Sequence, residues 1–245
     1  MVKFDFERWT DGTGSLGPHS LRQARWCDVF TKRSAAVSAE LLDRVARVAR
    51  TEPAAMSSYL GLIPLGDIVA RVGGEKMARI LSAAHELDFQ ASSLVLEFHG
   101  KRHVPDELGP PPDPIIERIS LGHRKTAARG GRGQLLDRLL KDPDPVVVVE
   151  ALRNPRLRES EVLAIASRRP APEIVFANLA ASSSWIARPA IRNAIVMNPY
   201  SPPSLSVMLL VTLNGGSLAE IAKDEAVHPS VRDGAAKALS WGPDF

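Results

Sequence analysis

Two stretches of this chain share one pattern of prolines, asparagines and apolar residues. Residues 142–170 read DPDPVVVVEALRNPRLRESEVLAIASRRP, and residues 187–216 read ARPAIRNAIVMNPYSPPSLSVMLLVTLNGG. They align when Pro145 is placed on Pro189, an offset of 44 residues. With that offset the following positions coincide: Asn154-Pro155 with Asn198-Pro199, Val147 with Ile191, Ala151 with Ile195, Leu152 with Val196, Leu163 with Val207, and Ile165 with Leu209.

The repeated prolines predict where short helices begin and end. Proline in the first helical turn loses no hydrogen bond and presets φ, so Pro145 and Pro189 are predicted helix starts. A truncated third copy, KDEAVHPSVRDGAAKAL at 223–239, places Pro229 in the same position. The residue before a proline is driven out of the α region, so the Asn-Pro pairs are predicted helix ends. Helices this short are unstable alone and must pack on their neighbours, as in a solenoid.

These motifs resemble those of a known repeat family. The resemblance is to HEAT-like repeats, and most closely to the leucine-rich-repeat-variant α-solenoids of bacterial proteins. It covers about residues 119–242 and implies an all-α, short-helix solenoid of the HEAT/armadillo kind that binds a macromolecule. Some variant-repeat proteins carry an iron–sulfur cluster held by cysteines, which the single Cys27 could not supply. The residues that carry the resemblance are Asp142, Pro145 and Val147 (D-x-x-P-x-V) and Asp224, Pro229, Val231 and Arg232 (D…P-x-V-R), with the two Asn-Pro breaks.

The remaining sequence predicts a smaller helical region before the repeats. Residues 1–108 form this region, with an irregular stretch over about the first 35 residues and amphipathic helices at 38–50 and 74–88. Residues 109–118 begin GPPPDP and are predicted to be an extended, proline-rich connector. Residues 119–245 form the predicted repeat domain.

Composition narrows the class of protein further. The chain has 245 residues, of which 44% are hydrophobic, 24% charged and only 5% aromatic, with 19 prolines. One cysteine excludes an internal disulfide or a cysteine-based zinc site within this chain. No apolar run is long enough for a membrane span, and the first residues lack a signal-peptide core. We therefore expect a cytoplasmic protein without a metal, a cofactor or a membrane partner.

Two short motifs suggest chemistry but are better explained structurally. Residues 12–17, GTGSLG, match G-x-G-x-x-G, but Pro18 follows at once and no βαβ unit surrounds them, so a glycine-rich loop is predicted. His99 and His103 have i, i+4 spacing, but no third ligand lies nearby and Pro105 makes a helix doubtful. No catalytic set assembles from the sequence, and we predict no catalytic residue.

Basic residues are the remaining candidates for a binding surface. Residues 119–169 contain 11 Lys and Arg against 6 Asp and Glu, a local excess that favours an anionic partner. The alternative is that these side chains are solvated or pair with nearby acids. The candidate partner- or phosphate-binding residues are Arg124, Lys125, Arg129, Arg153, Arg156, Arg168, Arg169, Arg188 and Arg192.

Two functions compete at this point. The first is a non-catalytic protein-interaction scaffold or adaptor that binds a partner on the solenoid surface. The second is a nucleic-acid-binding HEAT-like protein, related in kind to HEAT-like DNA glycosylases, that uses the arginine-rich surface. The second requires the arginines to converge on one face.

Overall fold

The structure, a computed structural model, describes residues 5–97 and 113–241. Every regular element in these ranges is an α-helix, so the predicted all-α fold is confirmed for the described residues. The longest helices have only 14 residues. Within the described ranges, no helix combines the length and apolar character that a bilayer crossing requires. The helices are α1 (Phe6–Gly14), α2 (His19–Lys32), α3 (Ala35–Val48), α4 (Pro53–Leu60), α5 (Leu65–Val72), α6 (Gly74–Glu86), α7 (Gln90–Leu96), α8 (Pro114–Glu117), α9 (Leu121–Gly130), α10 (Gly133–Leu139), α11 (Pro145–Leu152), α12 (Glu159–Ala166), α13 (Glu173–Ala181), α14 (Ser183–Ile186), α15 (Pro189–Val196), α16 (Pro203–Leu210), α17 (Gly215–Ile221) and α18 (Pro229–Ser240).

The described chain divides into two compact units. Unit 1 combines residues 5–97 with residues 203–241, and unit 2 comprises residues 113–202. This division differs from the predicted one, which placed all of residues 119–245 in a single repeat domain. The chain instead returns to unit 1 at Pro203, so the third, truncated copy of the repeat belongs to unit 1.

Helix α16 belongs to unit 1 because its side chains are part of that unit's core. Seven of its eight residues are buried, and it packs against α7 and α18. The fully buried Tyr59 of α4 donates its hydroxyl to the carbonyl oxygen of Met208, at 2.6 Å. Burial raises the pKa of Tyr59 far above its ordinary value, so the hydroxyl stays a donor at any physiological pH. An apolar run that sequence analysis assigned to the repeats therefore completes the N-terminal helices.

Most of residues 5–35 are helical, in α1 and α2, so the prediction of an irregular stretch is wrong there. Helix α1 begins where the Asp5 side chain accepts a hydrogen bond from the backbone N–H of Arg8, an N-cap. Trp9 of α1 meets the buried Trp26 of α2 edge to face, with ring centroids 4.7 Å apart. Aromatic packing of this kind outweighs the low helix propensity of the glycines in α1.

The G-x-G-x-x-G motif is also helical over its first half, so the predicted glycine-rich loop is wrong there. Gly12 and Gly14 lie in α1, which packs against α4. A Cβ added to Gly14 would lie 2.4 Å from the carbonyl oxygen of Ala54, well inside van der Waals contact. The glycine at this position permits two helices to approach closely.

Unit 2 is a succession of short helices, and prolines begin helices at the predicted positions. Pro145 and Pro189 are the first residues of α11 and α15, and Pro229 is the first residue of α18 in unit 1. In unit 2, α11 packs against α9 and α13, and α12 packs against α15. Of the predicted connector, residues 109–112 lie outside the described residues. The rest contains α8, one helical turn capped by the Asp113 side chain.

Candidate interaction groove

Unit 2 is held together by two buried asparagines in equivalent positions. The amide of Asn154 donates to the carbonyl oxygens of Ala128 and Gly131, at 2.9 and 3.0 Å, at the end of α9. The amide of Asn198 donates to those of Ala166 and Arg168, at 2.8 and 2.9 Å, at the end of α12. Both asparagines are buried, and the 44-residue offset of the sequence repeat separates them.

These bonds give the Asn-Pro pairs a role beyond ending a helix. The last carbonyls of a helix have no partner within it, and burial without a partner is costly. The side-chain oxygen of each asparagine also accepts from a backbone N–H two residues further on, that of Arg156 or Tyr200. Each asparagine thus satisfies the end of an earlier helix while fixing its own turn.

Some of the predicted binding arginines pair with acids inside unit 2. Arg124 binds both carboxylate oxygens of Asp142, at 2.7 and 2.8 Å, and the Asp142 side chain is completely buried. Arg188 pairs with Glu159 and lies over the ring of Trp185, 5.2 Å from its centroid. In such pairs the carboxylate offsets the positive charge of the arginine, which weakens its attraction for a phosphate backbone.

Glu150 is shared by two more of the predicted arginines. Its Oε2 accepts from the Nε and Nη2 of Arg129, at 2.9 and 2.6 Å, and its Oε1 accepts from Arg153 at 3.1 Å. The hydrogen bonds from Arg129 hold the pKa of Glu150 below its usual range, although burial opposes them. The positive charge of Lys125 lowers the pKa of Glu150 to a smaller extent. The ammonium group of Lys125 donates no hydrogen bond to any described residue.

Three further predicted arginines donate to backbone carbonyls. Arg156 donates to Gly130 and Arg169 to Met197, at 3.1 and 2.8 Å. Arg192 is buried and donates to Ile186 and Ala187, at 3.0 and 2.8 Å, at the end of α14. Arg192 is therefore a helix-capping residue of the core, so it does not present its charge at a surface.

Unit 2 contains an open groove of about 1300 Å³. We call this cavity the unit 2 groove. Its walls come from α8, α10, α12 and the segments that follow them, and it includes two of the predicted arginines. The lining residues are Asp113, Ile116, Gln134, Asp137, Arg138, Leu140, Lys141, Asp142, Pro143, Ser160, Glu161, Ala164, Ile165, Arg168, Arg169 and Pro170.

Ion pairs fix three of the four acidic side chains of the unit 2 groove, those of Asp113, Asp142 and Glu161. Asp113 pairs with Arg138 across the groove wall. Its pKa is lowered by the backbone N–H of Ile115 and then by Arg138. Glu161 accepts from the side chain and the backbone N–H of Arg158, at 2.9 and 2.7 Å, and these bonds lower the pKa of Glu161. The carboxylates therefore stay ionised and oriented at neutral pH.

Two of the predicted binding residues, Arg168 and Arg169, line this candidate groove. Arg138, Glu161 and Ala164 also line it and were not predicted. The missed residues follow no motif, since they come together only when α8, α10 and α12 pack. The acidic partners Asp142 and Glu150 stood in the sequence, 18 and 21 residues after their arginines. A separation of about 20 residues is typical of side chains on neighbouring helices, so it could have indicated that these arginines pair with these acids.

The other residues that sequence analysis considered add no second site. His99 and His103 lie outside the described residues. Cys27 is half-buried, and burial raises the pKa of its thiol, an effect that Arg71 partly offsets. Over residues 5–97 and 113–241, no three His, Cys, Asp or Glu side chains are grouped so that they could hold a metal ion.

No protein-family model matches the chain, and neither a curated protein nor a solved structure matches it. Membership in the HEAT-like repeat family therefore stays a prediction from the motifs.

Replacing Glu150 with Gln is expected to lower the free energy of unfolding by about 1–3 kcal/mol at pH 7, because charged hydrogen bonds from two arginines are lost. The folded-state pKa of Glu150 is lowered, so its stabilisation is complete above the ordinary carboxyl value of about 4.3 and disappears as pH falls through the lowered value. Urea unfolding of both proteins from pH 7 to pH 3 measures the difference.

The matched control is Glu117→Gln, since Glu117 is exposed and pairs with no cation in the described part of unit 2. We expect its effect to stay within about 0.5 kcal/mol at every pH. A Glu150→Gln difference that persists unchanged at pH 3 would contradict the proposed ionic role.

Proposed function

We propose that this chain is a non-catalytic, cytoplasmic interaction scaffold that binds a segment of a partner protein in the unit 2 groove. The observation that supports this most is the groove itself. Its volume exceeds the roughly 300–1,000 Å³ of most small-molecule pockets, and it is open to solvent. An open cavity of this size suits a stretch of polypeptide.

The composition of the groove wall supports the same proposal. Ile116, Leu140 and Ile165 supply apolar surface, while paired acids and arginines supply a polar rim. Protein interfaces combine an apolar centre with such a rim. Because Asp113 and Glu161 are already held by arginines, the groove needs little rearrangement to bind.

The pairing of the arginines favours a protein partner over nucleic acid. Nucleic-acid binding draws on several cations that contact successive phosphates. Arg124, Arg129 and Arg188 are instead engaged by carboxylates of unit 2. These pairs reduce the net positive charge that unit 2 offers to a phosphate backbone.

A substitution that fills the groove tests the proposal. Ala164 lies on α12, is exposed and lines the groove, so Ala164→Trp adds bulk without disturbing buried packing. We expect the tagged full-length variant to lose at least about 90% of the partner that the unsubstituted chain captures from cell extract, since a loss of 1.4 kcal/mol already weakens binding tenfold. Quantitative mass spectrometry of the captured proteins provides the measurement.

The control is Ala177→Trp, which places the same side chain at an exposed position of α13 that is not part of the groove. It is expected to capture the partner normally. Equal capture by the two variants would refute the groove as the binding site. Capture of nucleic acid by both variants, lost steeply with added salt, would favour the nucleic-acid alternative.

A further inference from the structure

Arg168 differs from the other predicted binding arginines because its side chain makes no hydrogen bond or ion pair among the described residues. Its side chain is half-buried at the end of α12, and no hydrogen-bond acceptor among the described residues contacts its guanidinium. Burial lowers the pKa of Arg168, and the nearby Asp142 partly opposes the shift. An arginine still remains protonated at neutral pH, so a partly desolvated positive charge faces the groove.

The charges along the groove also favour an anionic ligand. Three of its four carboxylates, those of Asp113, Asp142 and Glu161, are in ion pairs within the described part of unit 2. Of its four cations, only Arg138 pairs with a carboxylate there. The remaining groups are three cations against a single unpaired acid, and the cations are Lys141, Arg168 and Arg169, with Asp137 the acid.

A small and mostly apolar cavity adjoins Arg168, and Asp142 is also part of its lining. It has a volume of about 140 Å³ and shares Pro143, Ile165 and Pro170 with the groove. Val148 and Val175 supply further apolar wall. This volume is well below the roughly 300 Å³ of small-molecule pockets, so it fits one side chain of a larger ligand.

From this juxtaposition we infer that the unit 2 groove binds an acidic peptide segment. An aspartate or glutamate of the segment pairs with Arg168, and an aliphatic residue beside it enters the adjoining cavity. The planar guanidinium suits bidentate pairing with a carboxylate, and a partly desolvated site strengthens that pairing. This inference rests on the proposed function and adds the chemistry of the partner. A nucleic acid could pair a phosphate with Arg168, but it has no aliphatic side chain to fill the adjoining cavity.

Selection from a displayed library of random 12-residue peptides tests the inference with the full chain as bait. We expect the selected peptides to be enriched in an acidic residue next to Leu, Ile or Val. Arg168→Gln should weaken the best peptide at least about tenfold in fluorescence anisotropy, because a charged hydrogen-bonded pair is lost. Arg168→Glu, used as bait in the same library, should shift the selection toward Lys and Arg.

Arg132→Gln is the matched control, since Arg132 is exposed, lies in unit 2 and is not part of the groove. It should leave peptide affinity within about twofold, and circular dichroism should show that all variants are folded. The inference would be overturned if Arg168→Gln bound the selected peptides as tightly as the unsubstituted chain does. It would also be overturned if the selected peptides were not enriched in acidic residues, or if no peptide were selected.

Failure of the inference and failure of the proposed function give different results. Binding that is lost in Ala164→Trp but unchanged in Arg168→Gln keeps the groove as the binding site and removes the role of Arg168. Binding that is insensitive to both substitutions contradicts the proposed function as well.

Discussion

A chain that ends at Pro202 is expected to lose the folded structure of residues 5–97. This truncation removes α16, whose buried residues include Leu205, Val207, Met208, Leu209 and Leu210. Full burial of one such side chain contributes about 1.5–3 kcal/mol, so together they contribute roughly 8–15 kcal/mol. That sum equals the whole stability of a typical domain, about 5–15 kcal/mol. Amide hydrogen exchange in α3 and α4 measures the loss.

The control is a chain without unit 2, in which a flexible Gly/Ser linker joins residues 5–97 to residues 203–241. It retains the bond from Tyr59 to Met208 and the packing of Gly234 against Leu210 and Leu94. We expect its α3 and α4 amides to be protected as in the full chain. Protected amides in the truncated chain would instead support the sequence prediction that residues 1–108 form a region of their own.

Replacing Asn198 with Ala is expected to lower the free energy of unfolding of unit 2 by about 3–5 kcal/mol. The substitution leaves the carbonyls of Ala166 and Arg168 and the N–H of Tyr200 without their partner. Each buried polar group left unpaired costs about 1–3 kcal/mol. Urea unfolding followed by circular dichroism gives the change, and Asn154→Ala is expected to have a similar effect.

Asn178→Ala provides the comparison for this substitution. Asn178 makes one exposed hydrogen bond, to the carbonyl of Ile174 in its own helix, so we expect a loss below about 1 kcal/mol. Equal effects at positions 178 and 198 would mean that the hydrogen bonds of Asn198 to the end of α12 do not stabilise unit 2.

The sequence predicted the local elements of this fold better than their assembly. Prolines 145, 189 and 229 start helices because a proline in the first turn acts within a few residues. The membership of α16 in unit 1 depends on Tyr59, which lies 149 residues from its acceptor. Helical periodicity carries no information on which distant helix an apolar face will meet. The helical character of α1 was missed for the same reason, since the need for glycine at position 14 becomes evident only beside Ala54.

The candidate site shows the same limit. An excess of arginine was evident in the sequence, but each arginine could either pair with an acid or remain available. Arg124 and Arg129 lie in α9, which packs against α11. They pair with Asp142, which precedes α11, and with Glu150, which lies in it. Arg168 has no such acid within hydrogen-bonding reach among the described residues, which distinguishes it as a candidate contact. This difference arises from packing between helices and could not be predicted from residue type or spacing.

Photo-crosslinking from inside the groove tests the proposed function most directly. A photo-reactive benzoyl-phenylalanine replaces Ala164 in the full-length chain, and a second protein carries it in place of Ala177. Both positions are exposed, but only the first lines the groove. We predict a covalent adduct with one partner protein from position 164 and none from position 177. A partner that crosslinks from position 177, or equally from both positions, would contradict binding in the groove.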